Sequence, residues 1–596
     1  MREKQLLMGN EAIALGALGA GVRVVTGYPG TPSTEVLETI SKHNNGKVYV
    51  EWSVNEKVAL EVAAGAAYTG ARAMVTMKQV GLNVASDPLM SLVYIGVKGG
   101  MVIVVADDPG PISSQTEQDT RQYARFAKLP VFDPSTPEEA CAMVADAFDF
   151  SEKYGTPVIL RPTTRVCHSC TSVGLPEDIP HGSPEGFIKD SKWVIFPRLS
   201  FANHKRLEGN LVRMSEDLSA YPSNRLTGSG KKGIACGGVS YTYVKEALQD
   251  IASPCKLLKV SAYPFPKLLA RQFIEGLEEV LVIEELDPVI EDALISLCGE
   301  CGIGATVLGK RSGHVANAGE NSADSVAAGV RRFLGLPPEE RVMQEPPPLP
   351  VRPPVLCAGC PHRASFFAVK EAAKGRKAVY SGDIGCYTLG NAQPLDMVDT
   401  CLCMGAGITI AQGIHRVEPD TLNFAFIGDS TFFHTGIPGI INAVYNQTDI
   451  IIVILDNATT AMTGNQPHPG TGKTMMGSLS EKLSIHRIVS AIGVQRIVRA
   501  NPFRLESAKE AVRSVLEEKG VRVVLFEAPC IAVGKAGRPY GVDREACTGC
   551  RLCIKKLGCP ALVMDGSKPG VDQALCSGCG ICAQVCPVCA IREVAE

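Results

Sequence analysis

Phe424-Ala425-Phe426-Ile427-Gly428-Asp429-Ser430 reads as a buried strand that ends in a Gly-Asp turn. A run of consecutive apolar residues fits a strand covered on both faces, as in a parallel sheet. A helix-like stretch follows, then a second apolar strand, Ile450–Leu455, which runs into Asp456-Asn457. The same alternation recurs outward from this pair. Glu11–Ala20 is helical, Val22–Thr26 is a short strand that enters the turn Gly27-Tyr28-Pro29-Gly30-Thr31-Pro32-Ser33, Glu56–Ala67 is an Ala-rich helix and Met101–Ala106 is another buried strand. Further on, Gly233–Gly238 and Val280–Ile283 belong to one more strand–helix alternation. Such alternation predicts doubly wound parallel sheets with helices on both faces. The apolar runs are bounded by Gly, Asp and Lys and fall far short of a membrane-spanning helix.

At 596 residues the chain is too long for one core. The pattern divides it into an α/β unit over 1–185, a polar and irregular connector over 186–228, a second α/β unit over 229–340, a stiff Pro-rich linker over 341–354, a third α/β unit over 355–535 and a cysteine-rich module over 536–596. Hydrophobic residues at 45% and charged residues at 20% describe an ordinary globular protein. A formal net charge of −3 argues against a nucleic-acid binder. The 22 cysteines are not a secreted disulfide framework, because the chain is long and many fall in cluster-like spacings. The N-terminus has no apolar stretch long enough for a signal peptide, so a reducing cytoplasm without membrane attachment is expected.

The spacing of Gly428-Asp429-Ser430 to Asn457 looks like the thiamine-diphosphate motif, in which two strand ends hold a magnesium-bound diphosphate. Mg2+ takes hard oxygen ligands in near-octahedral geometry. Asp429 offers a carboxylate, Asn457 an amide oxygen and the backbone near Thr459 a carbonyl, while Gly428 permits a close backbone approach. Gly-Asp after a strand is also a common turn.

The C-terminal cysteines form two runs of four. Cys576, Cys579, Cys582 and Cys586, followed by Pro587, fit the C-x2-C-x2-C-x3-CP pattern of two-cluster ferredoxins, in which the fourth cysteine serves the other cluster. Cys547, Cys550, Cys553 and Cys559, followed by Pro560, repeat it with two extra residues before the last cysteine. The crossed assignment gives one [4Fe–4S] cluster to Cys547, Cys550, Cys553 and Cys586, and the other to Cys576, Cys579, Cys582 and Cys559. A zinc ribbon is the alternative, but zinc needs four ligands and has no use for the tripled spacing. Cys167/Cys170 and Cys298/Cys301 also stand two residues apart, each without a partner pair in its own segment.

With these features the chain resembles the 2-oxoacid:ferredoxin oxidoreductases over nearly its whole length. The carriers are Gly27–Ser33, Val54-Asn55-Glu56-Lys57, Cys357-Ala358-Gly359-Cys360-Pro361-His362-Arg363, Gly382-Asp383-Ile384-Gly385-Cys386-Tyr387, Gly428-Asp429-Ser430, Thr463-Gly464-Asn465-Gln466 and the two cysteine runs. The resemblance implies two thiamine-diphosphate-fold domains (1–185 for the pyrimidine, 355–535 for the diphosphate and Mg2+), a transketolase C-terminal-like domain over 229–340 and a small α+β bacterial ferredoxin module. It implies oxidative decarboxylation of a 2-oxo acid, an arylpyruvate such as indolepyruvate in the members most similar, to acyl-CoA and CO2. Electrons would pass through [4Fe–4S] clusters to ferredoxin, and a smaller beta subunit would complete the enzyme. Two alternatives stay open: the same chemistry on pyruvate, a branched-chain acid or phenylglyoxylate, and an electron-carrier subunit on a non-catalytic thiamine-like scaffold.

The resemblance also assigns residues. Glu56 would face the aminopyrimidine and keep a proton in a low-dielectric pocket. Thr31 would lie near the substrate carboxylate, Asp383 and Gly385 near the diphosphate, and Gln466 and His468 near cofactor and substrate. Cys357, Cys360, Cys386 and Cys530 follow the order of a further [4Fe–4S] site in pyruvate-type relatives, but Cys360-Pro361 departs from their Cys-Gly, so a third cluster and free buried thiols both remain readings. His362 and Arg363 are candidates for touching substrate or cofactor. Glu284-Glu285 with Asp287 reads as a solvated strand edge or subunit contact.

Overall fold

The computed structural model describes residues 4–175, 184–249, 251, 255–338 and 347–594. The chain forms two compact units, 1–345 and 346–596. The first part of the expected Pro-rich linker, 341–346, lies outside the described residues.

The first unit holds two sheets. A seven-stranded sheet runs in the order Ala262–Tyr263, Val131–Phe132, Val158–Leu160, Met101–Ala106, Ala73–Lys78, Val24–Gly27, Tyr49–Trp52. Its strands pair in parallel except at the Ala262–Tyr263 edge, which is antiparallel. Met101–Ala106 is buried at every position, as a central strand with helices on both faces must be. A five-stranded sheet follows, ordered Thr306–Leu308, Glu279–Ile283, Lys232–Gly237, Lys256–Val260, Arg225–Gly228, with only the last strand antiparallel. After Lys256–Val260 the chain crosses directly into Ala262–Tyr263, so the second sheet's own sequence supplies an edge to the first.

The stretch expected to be an irregular connector instead contains the 23-residue helix Pro197–Ser219. Its buried residues are Leu207, Asn210, Met214 and Leu218, one per turn. That stripe is too narrow to stand out in a polar stretch, yet it suffices to dock a helix whose other faces are solvated. The acidic strand end is also not a solvated edge. Glu284 is buried, receives the Arg121 guanidinium at 2.9 Å and accepts from the amides of Ile290 and Glu291, where it caps the helix Val289–Cys301. A buried carboxylate is tolerated because that cation and those amides satisfy it.

The second unit is built on a five-stranded, all-parallel sheet ordered Ala378–Ser381, Leu422–Gly428, Ile450–Asp456, Val521–Glu527, Arg496–Ala500. Its C-terminal module has two short antiparallel pairs, Tyr540–Val542 with Ile591–Glu593 and Leu562–Asp565 with Lys568–Val571, and two short helices, Leu552–Leu557 and Ile581–Val585. Phe366, Phe424, Phe426, Val524 and Phe526 on one side of the sheet share a single hydrophobic core with Leu557, Leu562, Ile581 and Ile591 of the module. Among the described residues no helix is long and apolar enough to cross a membrane.

Candidate functional site

In the second unit two neighbouring parallel strands end side by side, Leu422–Gly428 at Asp429 and Ile450–Asp456 at Asn457. Asp429 is buried. Its Oδ1 accepts from the Ser430 amide at 2.8 Å, and its Oδ2 accepts from the Asn457 amide at 3.2 Å and meets His468 Nε2 at 3.1 Å. His468 Nδ1 accepts from the Gly470 amide, which leaves Nε2 to carry the proton toward Asp429. One end of the Asn457 carboxamide lies 3.3 and 3.2 Å from the two Asp429 oxygens and 2.8 Å from the Thr459 carbonyl oxygen. With the NH2 turned there, the amide donates to all three. With Oδ1 turned there, carboxylate, amide and carbonyl oxygens gather around one place, the donor set of a hard divalent cation. The chain reaches this arrangement through Ala458 at φ 60°, a left-handed conformation that costs a non-glycine residue about 1–3 kcal/mol and is typical of functional sites.

Acidic crowding points the same way. Burial first, then the neighbouring Asp429 charge, push the Asp456 carboxyl up to about 7. Asp383 is pushed to about 7 by burial, against the lowering effect of the amides of Gly405, Ile384 and Gly407 that it accepts. Two buried polar groups nearby are unsatisfied: Thr459 Oγ1 and both ring nitrogens of His362 have no partner. Burial drives the His362 imidazole down to about 4, against the pull of the Asp429 charge, so it is neutral. The first helical turn after Asp429 passes into a π-helical segment, Phe432–Gly436, a distortion often found at functional sites. The residues here fit a magnesium-bound diphosphate.

Tyr387 was not singled out from sequence. A Cβ on Gly385 or on Gly428 would lie 2.4 or 2.6 Å from its ring, so both glycines clear space for this tyrosine on that side. Its hydroxyl donates to the Ile384 carbonyl at 3.0 Å and lies 3.1 Å from Thr431 Oγ1. Ser430 accepts from Thr460 at 3.0 Å, while the Gln466 amide exchanges two 2.6 Å hydrogen bonds with Thr463. Cys401 and Cys403 are exposed, and partial burial first, then the Asp383 charge, raise both thiols.

In the first unit Glu56 is buried at the start of the helix Glu56–Tyr68, after the N-cap Asn55, whose side chain accepts from the Val58 amide at 2.9 Å. A Cβ on Gly81 would lie 2.6 Å from Glu56 Oε1, so glycine there lets the carboxyl lie against the next helix. Gly30, beside Thr31, packs in the same way on the Lys78 side chain. Burial lowers the Lys78 ammonium pKa, with Glu56 and Asp108 opposing. Lys78 is thus a second charged group beside Glu56; a lysine at a strand end gave no motif by which to find it.

The module encloses two cavities. One is lined by Cys559, Cys576, Cys579 and Cys582. The other is lined by Cys547, Cys550, Cys553 and Cys586. Each set joins three cysteines of one run with the last cysteine of the other. The four remaining candidates lie near the sheet. Burial lifts Cys386 to about 11, with Cys530 and Cys357 adding to the shift, and lifts Cys360 to about 12. The Cys530 amide donates to the Asn457 carbonyl at 2.9 Å.

Sequence comparison places the seven-stranded sheet and the sheet of the second unit in a class. Residues 15–184 match the family "Pyruvate flavodoxin/ferredoxin oxidoreductase, thiamine diP-bdg", and 383–526 match "Thiamine pyrophosphate enzyme, C-terminal TPP binding domain". The chain is therefore a thiamine-diphosphate-dependent 2-oxoacid oxidoreductase. It is 42% identical to "Indolepyruvate oxidoreductase subunit IorA" of Methanothermobacter thermautotrophicus across 99% of this chain and 97% of that protein. It is likewise 42% identical to the subunit of the same name from Thermococcus kodakarensis, across 93% and 91%. A solved 2-oxoglutarate:ferredoxin oxidoreductase from Magnetococcus marinus aligns at 17% identity and TM-score 0.45, across 56% of this chain and 66% of that one. The chain belongs to the indolepyruvate oxidoreductase IorA family.

Proposed function

We propose that this chain is the thiamine-diphosphate subunit of an indolepyruvate:ferredoxin oxidoreductase. The reaction is oxidative: an arylpyruvate and coenzyme A give the aryl-acetyl-CoA, CO2, one proton and two electrons. The observation that carries the reading is the pairing, in one compact unit, of the Asp429–Asn457 oxygen cluster with two cavities that each hold four cysteines. When bound, thiamine diphosphate supplies a carbon nucleophile and an electron sink.

The residues of this chain do the rest. Asp429, the Asn457 amide oxygen and the Thr459 carbonyl are the Mg2+ ligands in this reading, and His468 fixes the Asp429 carboxylate through its Nε2 proton. Neutral His362 presents hydrogen-bonding nitrogens without adding charge. Tyr387 and the glycines around it hold the Asp383 and Asp429 loops together. Glu56 would hydrogen-bond the pyrimidine, and Thr31 would contact the substrate carboxylate. Cys559, Cys576, Cys579 and Cys582, whose wall Ala358, Gly359 and Arg363 share from the sheet side, would hold one [4Fe–4S] cluster, a group that supplies one-electron transfer. Cys547, Cys550, Cys553 and Cys586, walled by the module alone, would hold the second, on the side from which ferredoxin would take electrons. A smaller beta subunit and a cytoplasmic, reducing setting complete the proposal.

Metal, sulfide and thiamine analysis of the anaerobically purified enzyme tests it. About eight irons per chain, at four per cubane, with one thiamine diphosphate and Mg2+, is the expected result. About twelve would add Cys357, Cys360, Cys386 and Cys530 as ligands, and zinc without sulfide would overturn the reading. Acyl-CoA formation compared across 2-oxo acids tests the substrate: a higher kcat/KM on pyruvate than on indolepyruvate would reject the arylpyruvate assignment.

A further inference from the structure

Arg363 has no part in the chemistry above, yet its environment is unusual for a guanidinium. It is 4% exposed, in the first turn of the helix Pro361–Ala372. Nη1 donates to the carbonyls of Leu557 at 2.6 Å and Gly558 at 2.9 Å, and Nη2 donates to the Leu356 carbonyl. Nε has no partner. No carboxylate stands among the groups whose charge bears most on it; those groups are the cysteines 559, 360, 579 and 357. Burying a cation against neutral carbonyls is costly unless an anion compensates it. The other buried arginines follow that rule: Arg121 meets Asp119 and Glu284, and Arg161 meets Asp107 and Asp133.

The missing anion has an obvious place. Arg363 lines the same cavity as Cys559, Cys576, Cys579 and Cys582. A cubane bound by four thiolates is anionic and gains one more negative charge on reduction. Two of the three carbonyls that Arg363 grips belong to the residues just before Cys559, in the interval that is two residues longer than its counterpart in the second run. Gly558 turns there at φ 58°, where a Cβ would lie 2.4 Å from Pro394. The longer interval thus delivers Cys559 and two carbonyls to one side chain.

We propose that Arg363 is the fixed counter-charge and the clamp of the cluster held by Cys559, Cys576, Cys579 and Cys582, and that it makes this cluster easier to reduce than its neighbour. The proposal rests on the iron–sulfur reading of the module. A positive charge fixed in a poorly hydrated wall favours the more negative, reduced state, and charge and hydrogen bonding near a cluster are established determinants of its potential.

The test is an EPR-monitored redox titration of the complete enzyme as wild type, Arg363→Gln and Arg363→Lys, with iron and sulfide counted in each. In Arg363→Gln one midpoint potential should move to a more negative value while the other stays in place, and Arg363→Lys, which keeps the charge, should show a much smaller shift. Should the Gln variant fail to assemble that cluster, an iron count lower by about four with the Lys variant at the wild-type count supports the same conclusion. Unchanged potentials at full iron content, equal shifts in both variants, or equal iron loss in both would overturn it. A wild-type enzyme without iron and sulfide would instead overturn the underlying cluster reading, and the wild-type count alone tells the two failures apart.

Discussion

The two cysteine-lined cavities sit in one small module and differ in their walls. The cavity of Cys559, Cys576, Cys579 and Cys582 borrows Ala358, Gly359 and the buried Arg363 from the sheet side of the unit. That of Cys547, Cys550, Cys553 and Cys586 is lined only by module residues, and its arginine, Arg551, is exposed. A charge held away from water acts on its neighbour far more strongly than one that solvent screens. Two sites of the same ligand type can therefore differ in role, the inner one receiving electrons from the sheet domain and the outer one releasing them.

The largest expected effect breaks that ordering directly. Cys579→Ser should remove about four irons and abolish reduction of any cluster by substrate. Cys550→Ser should remove about as many, yet leave the inner cluster reducible by indolepyruvate and coenzyme A while ferredoxin reduction is lost. EPR on both variants decides, and the opposite pattern would reverse the assigned order. Next, Glu56→Gln should lower kcat/KM by roughly 10²- to 10⁴-fold, the range for a positioned acid–base group, with thiamine and iron content unchanged. An unaffected rate would remove Glu56 from the mechanism and favour the scaffold alternative.

Smaller effects probe the junction itself. Gly359 adopts φ 74°, and a Cβ there would lie 1.7 Å from Ser577 Oγ, between two cysteines of the inner set. Gly359→Ala should destabilise the protein by about 1–3 kcal/mol through overpacking and backbone strain. Gly566→Ala, at φ 63° in open space, carries only the strain, about 1–2 kcal/mol. Denaturant midpoints of the pair separate the two contributions. The smallest effect is expected for Lys556→Ala: its ion pair with Glu371 spans 3.1 Å but is partly exposed and should contribute under about 1 kcal/mol.

Much of this was legible in the sequence, for physical reasons. Met101–Ala106 and Ile450–Asp456 are apolar without interruption because both faces of a central parallel strand are covered. The two cysteine runs stand out because the tripled Cys-x2-Cys spacing is visible without any fold. What escaped depends on distant partners. Pro197–Ser219 shows only one buried residue per turn, Glu284 finds Arg121 at 163 residues' separation, and His468 meets Asp429 across 39. The role of Tyr387 in the space beside Gly385 and Gly428 follows from a fold that periodicity does not encode. The hold of Arg363 on the Leu557 and Gly558 carbonyls escaped for the same reason, those partners lying nearly two hundred residues away.

The central claim is that electrons released at the Asp429–Asn457 site leave through cubanes on the same polypeptide. Its most direct test is low-temperature EPR of the complete anaerobic enzyme mixed with indolepyruvate and coenzyme A, comparing wild type with Asp429→Ala. Reduced-cluster signals should appear in the wild type and be absent from the variant, although dithionite reduces the clusters of both. Equal substrate-driven reduction in the two proteins, or none in a wild type with its full complement of thiamine and iron, would contradict the account.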